Sequence, residues 1–351
     1  MLKNNKHIQI VRSTTSGLSS MSQESCSSLV AVLTKHFTRV GVTIVNDSSD
    51  LEALVETQPD LVFLGMEFIF IEDSLGLSDP SKLWLSDYLD SYGVAYTGSS
   101  QLAHDLERHK PLAKQRMQDL GLNTASFFVV KQGQQLVSSD VTLPYPLFIK
   151  PTNRGGGLGI NSKSVVHNFE QLCSQVESIT AQHSSDSLVE EYLPGREFSV
   201  AILKDDYSEG YTVMPIELVA PADTNGTRIL SDQVKSSNTE QALAVTDKVI
   251  RNEICTLALA SFQALGARDY GRIDIRLDIN GAPHFLEANL IPSLISGYGS
   301  FPKACVLNVG LEYEPMITRI ADLGLSRNLN DHEESIGTLL LGGQVIGFAK
   351  A

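Results

Sequence analysis

Between Gly271 and Asn289 the chain reads GRIDIRLDINGAPHFLEAN, which sets oxygen ligands beside cations. Arg272, Asp274 and Arg276 alternate with Ile273, Ile275 and Leu277, the period-two pattern of a strand that buries one face and presents the other. Asn280-Gly281 is a strong hairpin-turn signal, and 284–289 reads as the returning strand. Such a hairpin brings Asp274 opposite the Glu287/Asn289 end. Two carboxylates and an amide oxygen are hard donors, of the kind Mg²⁺ takes when phosphate oxygens and water complete its octahedron. No His or Cys stands among these donors, which disfavours zinc. Taken alone, the same residues also fit a solvated hairpin with ordinary surface charges.

A second stretch, 146–160, reads PLFIKPTNRGGGLGI. An apolar strand ends on Lys150 and runs into a loop with glycines at 155, 156, 157 and 159. Glycines let backbone N–H groups close around phosphate oxygens without side-chain obstruction, and Lys150 adds a point charge. The loop is neither a Walker loop nor a G-x-G-x-x-G after a first strand, so its specificity comes from the downstream metal hairpin. Between the two lies 187–202, SLVEEYLPGREFSVAI. Two strand-like runs flank a Pro194-Gly195 turn, with Glu190 and Glu191 ending the first and Glu197 beginning the second.

Lysine strand, glycine loop, a strand ending in acids before Leu193, then R-x-D at 272–274 and E-x-N at 287–289: this order resembles the ATP-grasp superfamily. It is most similar to the D-alanine–D-alanine ligase family, over roughly residues 85–325. The resemblance implies an α/β chain, α+β in its ATP-grasp part: a doubly wound Rossmann-like domain (1–105), a central lid domain (106–186), a C-terminal domain with the metal and catalytic site (187–325) and a tail (326–351). It implies an ATP-dependent ligase that phosphorylates a carboxylate and then joins it to an amine. Asp274, Glu287 and Asn289 would hold two Mg²⁺ (or Mn²⁺). Lys110, Lys150 and Lys235 would meet phosphate, and Gly156 and Gly157 would close over it. Glu190, Glu191 and Leu193 correspond to the adenine edge, Glu197 to the ribose acceptor, and Arg272 to the stabiliser of a tetrahedral oxyanion. The second substrate's carboxylate falls to Arg272, Ser293, Ser296 or Ser300, with Tyr298 narrowing the pocket.

Stepping outward, each of these residues needs an element to hold it. The apolar run 7–11, the Ser/Thr/Gly-rich turn 13–28 and a helix around 29–37 open a doubly wound unit, followed by strands at 42–45 and 61–64 with a helix at 51–56 between them. A helix at 84–92, a helix at 111–120 headed by Lys110, strands at 127–130 and 147–150, a loop at 220–237 carrying Lys235, and a long helix at 246–265 complete the frame.

The substrate half departs from the family pattern. Ser19 stands where the family places a glutamate against a substrate ammonium, and Glu24 is the only acid near it in the chain; the serine cluster also fits a simple helix cap. Gly65-Met66-Glu67 lacks the family histidine and glycines, while Glu72-Asp73 are kept. Gly156 replaces a serine, and the loop around Lys235 lacks the family tyrosines.

The 351 residues carry 27 Lys and Arg against 41 Asp and Glu, a net charge of −14, which disfavours nucleic acid as a partner. No run approaches the length of a membrane span and the start lacks an apolar signal core, so the sequence predicts a cytoplasmic protein acting on small molecules, with a homodimer compatible with the apolar tail. Cys26, Cys173, Cys255 and Cys305 are scattered without paired spacing. Three functions compete: a D-alanine–D-alanine ligase proper, an ATP-grasp ligase for another carboxylate, and a nucleotide-binding regulator without turnover.

Overall fold

The structure, a computed structural model, describes residues 3–15, 17–71, 81–205, 210–223 and 226–327, with 340–341 and 344–345. Glu72-Asp73 and the rest of the tail beyond 327 lie outside the described residues. The first sheet is parallel, in the order β2-β1-β3, from β1 (Asn4–Arg12), β2 (Phe37–Ile44) and β3 (Leu61–Leu64). β1 is central, and its run from His7 to Val11 is buried throughout, as a strand covered on both faces requires. Between β1 and β2 lies α1 (Gln23–His36), whose start is capped by the Ser22 hydroxyl accepting the Ser25 N–H. α2 (Ser48–Glu56) follows β2, with a capping box between Asp47 and Asp50. β4 (Phe68–Ile69) pairs with β5 (Leu83–Trp84) before α3 (Leu85–Ser91).

Two helices carry the chain onward, α4 (Gln101–Arg108) and α5 (Lys110–Asp119), the second with proline in its first turn. A four-stranded antiparallel sheet follows in the order β6-β9-β7-β8, from β6 (Phe127–Val130), β7 (Leu147–Pro151), β8 (Val165–Val166) and β9 (Ser187–Glu191), with α6 (Phe169–His183) packed on it. The third sheet is antiparallel, in the order β12-β11-β10-β13-β14: β10 (Glu197–Lys204), β11 (Tyr211–Val219), β12 (Gln241–Ala244), β13 (Tyr270–Leu277) and β14 (Pro283–Asn289). α7 (Asp232–Ser236) precedes β12, and α8 (Lys248–Ala264) covers one face of this sheet with Ile254, Leu257, Ala258 and Phe262.

α9 (Ser300–Val309) and α10 (Tyr313–Ser326) follow, and beyond them Leu340–Leu341 pairs antiparallel with Gln344–Val345. α10 returns to the first sheet: Met316, Ile317, Ile320 and Ala321 join Ile8, Leu29, Leu33 and Leu61 in one core. The fit is close at Gly324, where a Cβ would lie 2.6 Å from Leu61 Cδ1. Among the described residues no helix is long and apolar enough to cross a membrane.

Candidate active site

β13 sends Ile273 and Ile275 into the core and presents Arg272, Asp274 and Arg276 on its other face, as the alternation predicts. Asp274 pairs in register with Glu287, and Arg272 with Asn289. The returning strand is less regular than its sequence suggests. A bulge sets Leu286 and Glu287 together opposite Asp274, so Phe285 and Ala288 stay in the core while Leu286, Glu287 and Asn289 all reach the site face.

The Asp274 carboxylate is held by four hydrogen bonds from three residues. Arg272 grips it in a fork, Nε to Oδ1 and Nη2 to Oδ2, both at 2.9 Å. The Ser199 hydroxyl on β10 donates to Oδ1 at 2.7 Å, and Asn289 Nδ2 donates to Oδ2 at 3.2 Å. Arg276 pairs with Glu197 across the β10–β13 ladder at 2.8 Å. Ser199 was absent from the expected site, although Glu197 and Ser199 alternate with buried Phe198 and Val200, the signal that would have found it.

Burial pushes Glu287 up, but Lys110, Lys150, Lys235 and Arg272 outweigh it and hold the carboxyl down at about 2. Glu287 is therefore an ionised oxygen donor in a surplus of positive charge. With Asp274 and Asn289 beside it, the donor set fits a hard divalent cation bound together with anionic phosphate.

Lys110 and Lys114 stand one turn apart on α5. Lys110 Nζ donates to the Arg154 carbonyl of the glycine loop and lies 3.6 Å from Glu287. Glu190 on β9 receives Lys114 at 2.5 Å and Lys150 at 2.9 Å, with all three side chains buried. Burial raises Glu190, yet the two lysines outweigh it and keep its carboxyl below the usual carboxylate range. Burial lowers Lys110 and Lys114; for Lys150 the nearby Glu190 and Glu287 outweigh burial and raise it. Lys114 is a site residue that sequence spacing only hinted at.

The glycine loop is built from left-handed turns at Gly156, Gly157 and Gly159, with φ of 68, 86 and 78°, a region open to glycine. Gly156 lines the cavity, whereas Gly157 is buried against the start of α7, where a Cβ would sit 3.0 Å from the Asp232 nitrogen. The glycine loop thus touches the helix that carries Lys235. Lys235 is held further by Tyr298, whose hydroxyl donates to the Lys235 carbonyl.

Two cavities meet at this point. One has Phe148, Ile160, Leu193 and Leu286 among its apolar walls and Glu190, Glu191 and Glu197 at its edge. The other, larger, extends past Arg272 and Asn289 to Ser293, Tyr298 and Ser300 on one side and to Ser19 and Glu67 on the other. Asp274, Glu287 and Lys235 line both. Ser296 is not among the residues lining either cavity; Ser300 is. Ser19 lines the larger one, but its hydroxyl donates to the carbonyls of Met21 and Gly65 and accepts the Met21 N–H. Glu24 is exposed on α1 and lines neither.

The family model described as "D-ala D-ala ligase C-terminus" matches residues 116–322. Among curated relatives, the chain is 32% identical over 243 residues to "Uncharacterized protein y4sG" of Sinorhizobium fredii, covering 68% of this chain and 69% of that protein. It is 30% identical over 239 residues to the D-alanine–D-alanine ligase of Hydrogenovibrio crunogenus, covering 68% of this chain and 72% of the relative. Its fold matches the crystal structure of D-alanine–D-alanine ligase from Bacillus anthracis complexed with ATP, with a TM-score of 0.72 and 18% identity, over 95% of this chain and all of that one. Matched by the family model over more than half its length, the chain belongs to the D-alanine–D-alanine ligase family, ATP-dependent ligases of the ATP-grasp fold.

Proposed function

We propose that this ligase phosphorylates a carboxylate other than D-alanine and joins the activated acyl group to an amino acid, releasing ADP and phosphate. The observation that carries the reading is the meeting of an apolar cleft with a polar cavity at Asp274, Glu287 and Lys235. A nucleotide base held by the first cavity, between Leu193 and Leu286, would have its phosphates directed to that junction. Glu197 stands at the cleft edge for ribose hydroxyls. Lys110, Lys150 and Lys235 supply the charge that a polyphosphate requires, and the glycine loop offers backbone N–H groups. Divalent cations bound by Asp274, Glu287 and Asn289 would neutralise phosphate oxygens there.

A substrate carboxylate oxygen attacks the terminal phosphorus, and the bond to ADP breaks. An amine then attacks the acyl carbon and phosphate leaves, with the amine proton passing to solvent. Arg272 spends two of the five N–H donors a guanidinium has on Asp274, so Nη1 remains for the oxyanion of the second step. Ser293, Ser300 and Tyr298 line the cavity beyond it, suited to the second substrate's carboxylate. The deciding experiment is phosphate release from ATP across a panel of amino acids and dicarboxylates. Release that depends on an added carboxylate is expected; nucleotide binding with no release for any carboxylate would favour a regulator.

A further inference from the structure

The larger cavity contains a second charged cluster that the nucleotide chemistry leaves unused. At its Ser19 end it is lined by Glu67, Glu107 and Arg108. Glu67 belongs to the turn after β3, and Glu107 and Arg108 to the last turn of α4. Glu67 is buried and receives Arg108 Nε at 2.6 Å. The two oxygens of Glu107 are fixed separately: Oε1 accepts the Leu290 N–H at 2.9 Å, and Oε2 lies 3.1 Å from His104 Nδ1. His104 is 1% exposed, and its Nε2 has no hydrogen-bond partner. Donor atoms of Glu67, His104 and Glu107 all lie within 4.8 Å of one another.

We infer that Glu107, with Glu67 beside it and His104 fixing its orientation, receives a cationic nitrogen carried by the carboxylate substrate. The inference rests on the ligase reading above and names its substrate class: an amino acid or another carboxylate bearing an ammonium group. Three observations favour this. A carboxylate is missing at Ser19, whose hydroxyl is committed to the turn at Gly65. Asp274 and Glu287 face a surplus of cations elsewhere in the cavity, and Glu240 stands near Tyr298, so Glu67 and Glu107 are the acids left for the Ser19 end. The charge count then selects the ligand. Arg108 pairs with Glu67 and leaves Glu107 as the carboxylate open to a ligand, which matches a monocation better than a divalent ion. Burial and the nearby Glu67 raise the Glu107 carboxyl, so an arriving cation also relieves the cost of keeping Glu107 ionised.

The test compares full-length wild-type protein with Glu107→Gln, which keeps size and an acceptor for the Leu290 N–H and removes the charge. Two readouts are used: ADP formation, and equilibrium binding of the same compounds by calorimetry with a non-hydrolysable ATP analogue and Mg²⁺ present. The probes are α- and ω-amino acids, each paired with the carboxylate that lacks its nitrogen. Wild type is expected to prefer the nitrogen-bearing member by at least about tenfold. Glu107→Gln should erase that preference while leaving affinity for the ATP analogue within about twofold. Binding preference unchanged in Glu107→Gln overturns the inference, as does tight binding of Zn²⁺ or Mg²⁺ alone that disappears in the variant. ADP formation with nitrogen-free carboxylates and with no amino compound overturns the inference and leaves the ligase reading standing. No ADP formation with any carboxylate overturns the ligase reading, and the binding comparison then judges the cation site by itself.

Discussion

Asp274 lies directly across the β13–β14 ladder from Glu287, at the position where the returning strand bulges. The bulge has a chemical consequence. A regular strand would put Leu286 and Glu287 on opposite faces; here both face the site, so one pair of ladder positions supplies an apolar wall for the nucleotide-side cavity and an ionised oxygen at the cavity junction. Ser199 and Arg272 fix the Asp274 carboxylate from the same sheet. The geometry of the two carboxylates is therefore set by strand register, and α5, β7 and α7 bring Lys110, Lys150 and Lys235 to it.

Replacing Glu287 by Gln removes one unit of negative charge at the cation and leaves the side chain's size unchanged. ADP formation should fall by at least about a hundredfold, the loss typical of removing one preorganised charged group from a transition-state site. The thermal midpoint should fall, because Lys110, Lys150, Lys235 and Arg272 lose the buried carboxylate that balances them. Turnover that survives in Glu287→Gln at saturating Mg²⁺ would remove the hairpin from the mechanism.

Leu286 tests the other half of the bulge. Leu286→Ala deletes apolar wall from the cavity lined by Phe148, Ile160 and Leu193 without touching a charge. Half-buried, the side chain is expected to contribute about 1–2 kcal/mol to base binding, so KM for ATP should rise roughly tenfold while kcat stays near wild type. A drop in kcat at unchanged KM would place Leu286 away from the base.

Much of this is legible in the sequence. Alternation in 272–277 and the Asn280-Gly281 turn predicted the hairpin, and the Asp274/Glu287 pairing followed from it. Where apolar periodicity was strong the positions came out closely, as at the strand 127–130 and at the helix 51–56, which begins three residues earlier after its Asp47 cap; the polar turn read at 13–28 hid the start of α1, which begins six residues before 29, and β2 begins five residues before 42. What the sequence did not contain was long-range pairing. Glu190 reads as an adenine-edge acid, yet it is tied to lysines on α5 and β7 that no local spacing connects. Glu67 and Arg108, 41 residues apart, form no motif at all. Ser296 and Ser300 were indistinguishable by type, and only the turn into α9 puts the second one on the cavity.

Glu190→Gln should cost stability as well as nucleotide affinity. It leaves Lys114 and Lys150 buried without their shared ion-pair partner, a change worth about 3–5 kcal/mol in comparable buried pairs. The pH dependence carries the same signature. A carboxyl whose folded-state pKa is depressed stabilises the protein above its unfolded value, and that contribution is lost as pH falls through the folded value. Thermal midpoints measured downward from neutral pH should therefore drop on the acid side in wild type. Glu190→Gln should start lower and show a shallower fall. Parallel curves for the two proteins would mean that Glu190 is not the group responsible.

The substrate half yields the last prediction, because its departures from the family are physical as well as textual. An ammonium brought into a closed cavity needs a carboxylate or equivalent acceptors, since an unpaired buried charge costs several kcal/mol. Ser19 offers only a hydroxyl already bonded to Met21 and Gly65, and Glu24 points its residue position to solvent on α1. The acids that do line this end, Glu67 and Glu107, come from different elements, so a nitrogen they receive is placed differently from one held at position 19. D-Alanine as sole amino acid is accordingly expected to be a poor first substrate, with ADP formation at least about tenfold slower than with the best nitrogen-bearing carboxylate of a panel. Steady-state ADP release, with product identification by mass spectrometry, decides the matter. Efficient synthesis of D-alanyl-D-alanine would show that the first-substrate pocket tolerates the loss of the glutamate and would return the chain to the specificity of its named relatives.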